Sequence, residues 1–129
     1  MAKRDKSRPT DAELRILRVL WRRGPSTVKQ VQEELNKERP TGYTTVLKFM
    51  QIMTDKELVE REDSQRSHVY RAALAEEQTQ GQLVRDLLER AFGGSAHKLV
   101  AQALSAKKAS PGELARIREL LDQLDGGAK

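Results

Sequence analysis

Residues 41–56 read TGYTTVLKFMQIMTDK, and their reading decides the fold. Taken as a helix, the segment has two unlike ends. Its start carries Thr41, Tyr43, Thr44 and Thr45, all short or planar side chains that hydrogen-bond. Val46, Met50 and Met53 then recur at i, i+4 and i+7 with Phe49 beside them, giving one apolar stripe. A helix anchored by its later turns and polar at its N-terminus can push that end into a DNA major groove. There its hydroxyls and backbone N–H groups meet base edges and phosphates. A core helix with a polar first turn has the same pattern, so the flanking sequence has to decide.

Upstream, residues 1–9 are charged, hold a proline and read as a basic arm. Thr10-Asp11-Ala12-Glu13 is a capping box, followed by a helix to about Arg22 with Leu14, Leu17, Leu20 and Trp21 at helical spacing. Gly24-Pro25 stops it. Thr27 with Gln30 repeats the box and opens a second helix to about Lys37, with Val28, Val31 and Leu35 as its apolar face. A brief extended segment around Ser26 is an alternative start. Arg39-Pro40-Thr41-Gly42 is turn chemistry, because the residue before a proline is pushed out of helical space.

Downstream, residues 58–62 (LVERE) and 68–72 (HVYRA) alternate with period two around the polar tip 63–67 (DSQRS). Three compact helices and then a hairpin describe a winged helix-turn-helix over residues 10–73. The first helix props the other two, the third reads and the hairpin is the wing. From residue 74 the pattern is helical only. Leu83, Val84, Leu87, Leu88 and Phe92 stripe a helix that ends at Gly93-Gly94. Leu99, Val100, Ala103 and Leu104 mark a shorter one. Ser110-Pro111-Gly112-Glu113 is a third capping box, opening a helix striped by Leu114, Ile117, Leu120, Leu121 and Leu124. Three short amphipathic helices in residues 74–129 are too few to close a core comfortably. The stripes are therefore expected to meet those of a second copy in a helical dimerisation domain. The fold class is mostly α.

Composition narrows the function classes. The 129 residues are 37% hydrophobic and 33% charged, with Trp21, Tyr43, Phe49, Tyr70 and Phe92 as the only aromatics. Lys and Arg outnumber Asp and Glu 16 to 11 in residues 1–73 and balance them 8 to 8 in residues 74–129. The whole +5 excess thus lies in the first part of the chain, where a polyanion partner fits; a solvated basic surface is the plainer reading. The absence of cysteine removes disulfides, thiolate metal sites and thiol nucleophiles. No apolar run approaches membrane-spanning length and the basic start has no signal-type apolar segment, so a cytoplasmic protein without membrane attachment is expected. His68 and His97 stand apart from any carboxylate spacing that would suggest zinc. Adjacent pairs such as Glu33-Glu34 face different ways on a helix and make no catalytic dyad. With no phosphate loop or nucleophile elbow either, neither an enzyme nor a cofactor is expected.

The segment from Thr10 to Trp21, the run Gly42-Tyr43-Thr44-Thr45-Val46, the exit from Lys56 to Val59 and the strand His68-Val69-Tyr70 resemble the penicillinase and methicillin-resistance repressors (BlaI/MecI), with the copper-responsive CopY repressors as relatives. The resemblance runs from about Thr10 to Leu124. It implies a winged-helix domain, a helical dimerisation domain and repression of transcription as a homodimer on an inverted-repeat DNA operator. In the best-known members a membrane sensor detects β-lactam and the repressor is then cut in its C-terminal domain, which makes a sensor protease a further partner. Three departures stand out. Ile52 replaces a basic residue that relatives often carry on the reading helix. Gln102-Ala103 occupies the position of the Asn-Phe cleavage pair. The cysteine tail of the copper sensors is absent, so copper sensing by that route is not expected.

The residues assigned to DNA are Thr41, Tyr43, Thr44, Thr45 and Lys48 on the reading helix and Arg61, Arg66 and His68 on the wing. Thr41 also suits a simple N-terminal cap, Lys48 an ordinary solvated lysine, and a basic wing tip plain solubility. Leu83, Leu87, Leu88, Phe92, Leu99, Val100, Leu104, Leu114, Ile117, Leu121 and Leu124 are assigned to the dimer. The rival reading is a winged-helix docking module whose basic face binds an acidic protein, since fold alone does not fix function.

Overall fold

The computed structural model describes residues 8–64 and 66–126; most of the basic arm read over residues 1–9 lies outside them. Helix α1 (Asp11–Arg23) begins with the expected box: Glu13 N–H donates to Thr10 Oγ1 at 3.2 Å, and Thr10 N–H donates to Glu13 Oε1 at 2.9 Å. It ends at Gly24, whose φ of +94° a residue with a Cβ adopts poorly. Helix α2 (Val28–Asn36) opens with the same pair of bonds between Thr27 and Gln30. Helix α3 (Tyr43–Asp55) buries Val46, Met50 and Met53 completely, as their spacing predicts.

The buried face of α1 is wider than its leucines suggest. Ile16 and Val19 join Leu17 and Leu20 in the core, while Leu14 and Trp21 pack at its margin. Trp21 is held there because its indole N–H donates to the Leu74 carbonyl at 2.9 Å.

Strands β1 (Val59–Glu62) and β2 (Val69–Ala72) pair antiparallel, Val59 opposite Ala72 and Glu62 opposite Val69. The extended segment at Ser26 is real. Its N–H donates to the Tyr70 carbonyl at 2.9 Å and its carbonyl accepts from Tyr70 N–H at 2.8 Å, so the chain between α1 and α2 docks on the outer side of the hairpin. Tyr70 is 1% exposed and sits among the core side chains of the three helices.

Helices α4 (Glu76–Phe92), α5 (Ala96–Ala106) and α6 (Pro111–Gly126) follow. Gly93 and Gly94 take positive φ, and Gly94 N–H donates back to the Leu88 carbonyl at 2.8 Å, the glycine-terminated helix end the sequence predicts. Ser110 accepts from Glu113 N–H at 3.1 Å, which makes one arm of the third box. The chain divides into two compact units inside α4, one ending at Val84 and the other beginning at Arg85. This lies beyond residue 74, where the helical pattern starts, because the Trp21–Leu74 bond and the buried Thr79 hold the start of α4 in the first unit.

One ion pair joins the ends of the first unit's helices. Lys56 Nζ lies 2.6 Å from Glu13 Oε1, with side chains 20% and 3% exposed. Burial pushes the Glu13 carboxyl up, but the bonds from Lys56 and Thr10 outweigh it and leave the pKa below the ordinary 4.5. A carboxyl with a lower pKa in the folded state adds stability that is whole above about pH 4.5 and is lost as the pH falls through its folded value. Urea denaturation followed from pH 7 to pH 3 is therefore expected to show a steeper loss for the natural protein than for Glu13→Gln. At pH 7, Lys56→Met, which strands the carboxylate, is expected to cost about 3 kcal/mol.

Candidate nucleic-acid interface

Both ends of α3 are fixed by neighbours, which leaves its outer face free. At the N-terminal end two α2 side chains hold the turn: Asn36 Oδ1 accepts from Thr41 N–H at 2.6 Å, and Gln32 Nε2 donates to the Thr41 carbonyl at 3.1 Å. The Thr41 hydroxyl donates to the Arg39 carbonyl at 3.1 Å. Thr41 is thus a turn residue, and the cap it was suited to is not made. Gly42 is the N-cap, and no side chain caps the helix. The N–H groups of the first turn, at Tyr43, Thr44 and Thr45, keep their positive field for something outside the helix.

The exposed side of α3 carries Thr44, Thr45, Lys48, Gln51, Ile52 and Asp55. Tyr43 is 49% exposed at its head. Beside it an open cleft of about 410 Å³ is lined by Thr27, Val28 and Lys29 from the start of α2, Tyr43 and Leu47 from α3, and Arg66, Ser67, His68 and Tyr70 from the hairpin. The structure therefore brings Tyr43, Arg66 and His68 together, although they are far apart in the chain. It adds Lys29, which the sequence reading missed. Its position on the first turn of α2, just after the capping Thr27, was the available signal.

The two other wing residues are more committed than the sequence suggests. Arg61 Nε lies 2.8 Å and His68 Nδ1 2.7 Å from the same Asp63 Oδ1. The Tyr70 side chain and Asp63 both bond the Arg61 guanidinium and raise its pKa. Arg61 and His68 thus share Asp63 at the side of the hairpin, while Arg66 at the tip forms no ion pair with any other described residue.

Charge pairing separates this face from the opposite one. Arg22, Arg23 and Lys37 gather on Glu34, whose carboxyl is lowered first by Lys37 and further by the two arginines. Arg15 meets Glu38. By contrast, Lys29, Lys48 and Arg66 form no ion pair with any other described residue. Three unpaired cations thus stand on α3, the start of α2 and the wing tip, as Arg18 and Arg39 do on the other side.

The penicillinase repressor family model matches residues 9–123, which spans both units. The chain belongs to the penicillinase repressor family. Over 118 residues it is 30% identical to the transcriptional regulator BlaI of Mycobacterium tuberculosis, in strain CDC 1551/Oshkosh and in strain H37Rv; the alignment covers 91% of this chain and 85% of that protein. A member of this family is a transcriptional repressor and not an enzyme, and its first unit has the winged helix-turn-helix architecture the sequence predicts. Among the described residues no helix is long and apolar enough to cross a membrane.

Because the Asp63 cluster is exposed, it adds little to stability. Asp63→Asn is expected to change the unfolding free energy by less than about 0.5 kcal/mol in urea titrations. A larger loss would show that the cluster holds the wing together.

Proposed function

We propose that this repressor binds an inverted-repeat operator as a homodimer, with α3 in the major groove and the hairpin tip over the adjacent backbone. The observation that carries this reading is the outer face of α3. Its hydroxyls, its uncapped first-turn amides and the unpaired Lys48 share one surface, flanked by Lys29 and Arg66. Amides at a helix N-terminus suit a phosphate, a threonine suits a base edge or a thymine methyl, and lysines suit the sugar-phosphate chain. Thr44 and Thr45 then carry sequence preference, while Lys29, Lys48 and Arg66 carry affinity for any duplex. Thr41 acts indirectly, by setting the entry angle of α3. Arg61 and His68, shared on Asp63, flank the duplex from the side of the wing.

The second unit supports the dimer. Neither α5 nor α6 buries a single residue, and Leu87, Val100, Leu104, Leu120, Leu121 and Leu124 are each between 38% and 72% exposed. Leu83, Leu88, Phe92, Leu99, Leu114 and Ile117 are half-buried beside them. Covering such a stripe with its own copy removes apolar surface at about 25 cal/mol per Å² and sets two α3 helices on a two-fold axis. Half-sites about one helical turn apart match that arrangement. The repressor works where the chromosome is, in the cytoplasm. If a sensor protease cuts at Gln102-Ala103, α5 has to unwind first, since both residues lie inside that helix.

Selection of binding sites from a random duplex library at about 0.15 M salt is expected to recover one inverted repeat. On that repeat, Thr44→Ala or Thr45→Ala should cost about 1–3 kcal/mol and relax preference at one base pair. Lys48→Ala should weaken all duplexes alike and flatten the salt dependence. Weak, sequence-blind binding by the folded protein would favour docking to an acidic protein instead. In sedimentation equilibrium, Leu121→Asp with Leu124→Asp is expected to yield monomers that no longer hold the repeat.

A further inference from the structure

One patch on α3 differs from the polar ridge beside it. Thr45, Lys48, Phe49 and Ile52 occupy i, i+3, i+4 and i+7, and they line a shallow, mostly apolar depression of about 160 Å³. Ile52 is 42% exposed, whereas Val46, Met50 and Met53 on the same helix are fully buried. The core does not need Ile52, because the buried stripe is complete without it. Phe49 is half-buried and packs against the core, so it forms a fixed floor. Lys48 also lines the depression, and its ammonium forms no ion pair with any other described residue.

An apolar hollow on the outer side of a helix in the major groove can meet few apolar groups. Among the base edges displayed there, the one apolar substituent is the C5-methyl of thymine; the rest are hydrogen-bond donors and acceptors. We propose that Ile52, backed by Phe49 and Thr45, is a specificity-determining residue that selects a thymine in each half-site through its methyl group. This inference rests on the operator-binding reading above and adds the chemical feature that is read. Ile52 lies two helical turns, about 10 Å, beyond Thr45. The selected thymine therefore belongs to a different base pair from those under the first turn. A basic side chain at this position would reach past the bases to a phosphate, so isoleucine exchanges a contact blind to sequence for one that distinguishes bases.

The test uses the full-length protein and the duplex recovered by site selection. Each thymine of the half-site is replaced in turn, in both halves, by 2′-deoxyuridine, which keeps every hydrogen-bonding edge and removes only the methyl group. At one symmetric position the natural protein is expected to lose about fourfold in affinity per half-site, about 15-fold for both, the scale of burying one methyl group. Ile52→Ala is expected to bind the thymine and deoxyuridine duplexes equally, and Ile52→Val to retain part of the difference. Ile52 is outside the core, so melting temperatures should stay within a few degrees of the natural protein. Deoxyuridine substitutions that are all silent in the natural protein, or methyl effects that all persist undiminished in Ile52→Ala, would overturn the proposal. Failure to recover any repeat would instead remove the operator-binding reading beneath it.

Discussion

The position of α3 depends on a single buried carboxylate. Glu13 caps its own helix through the Thr10 N–H and, with the same oxygen, takes the Lys56 ammonium from just past the end of α3. Few apolar contacts fix a helix against rotation about its own axis, whereas an ion pair with one geometry does. Replacing such a pair with well-packed apolar groups is often neutral or stabilising, whereas removing one partner alone leaves a buried charge uncompensated. Asn36 and Gln32 do the corresponding work at the other end through Thr41. Held at both ends and seated on Val46, Met50 and Met53, α3 needs nothing from its outer face for its own stability. That face is therefore available for binding.

The same division governs charge. On the α1 and α2 side, glutamates hold the cations close: Glu34 gathers three of them and Glu38 one. On the side of α3 and the wing tip, Lys29, Lys48 and Arg66 form no ion pair with any other described residue, while Asp63 takes up Arg61 and His68 at the flank. A net charge of +5 spread evenly would steer nothing. Lys29, Lys48 and Arg66, gathered beside α3, give that face a local positive field.

What was legible in the sequence was local. The boxes at Thr10–Glu13 and Thr27–Gln30, the stripe on α3, the glycine end of α4 and the alternating hairpin are each written within a few consecutive residues, and each formed as read. What the sequence did not show is how turns and strands aim side chains at one another, even between near neighbours. Thr41 looked like a cap, but Asn36 and Gln32 drew its backbone into the turn, so the cap fell to Gly42. Arg61 and His68 looked free until the hairpin closed them onto Asp63. Ile16 and Val19 were overlooked because leucines marked the stripe of α1, although α2, α3 and the hairpin together cover a wider arc of it. Lys29 carried no motif at all. It matters only because the wing folds back beside the start of α2.

The Ser26–Tyr70 bridge has a mechanical consequence. It ties the second strand of the hairpin to the segment that leads into α2, with both hydrogen bonds under 3.0 Å. The wing is therefore anchored to the start of α2 as well as to its own partner strand. The more firmly a wing is anchored, the more of the fitting falls to the object it meets. On the operator-binding reading proposed above, duplexes whose steps bend easily under the hairpin, such as pyrimidine–purine steps, would be gripped at lower cost than stiff A-tracts, even where no side chain touches a base. Part of the proposed recognition would then be written in the elasticity of the DNA.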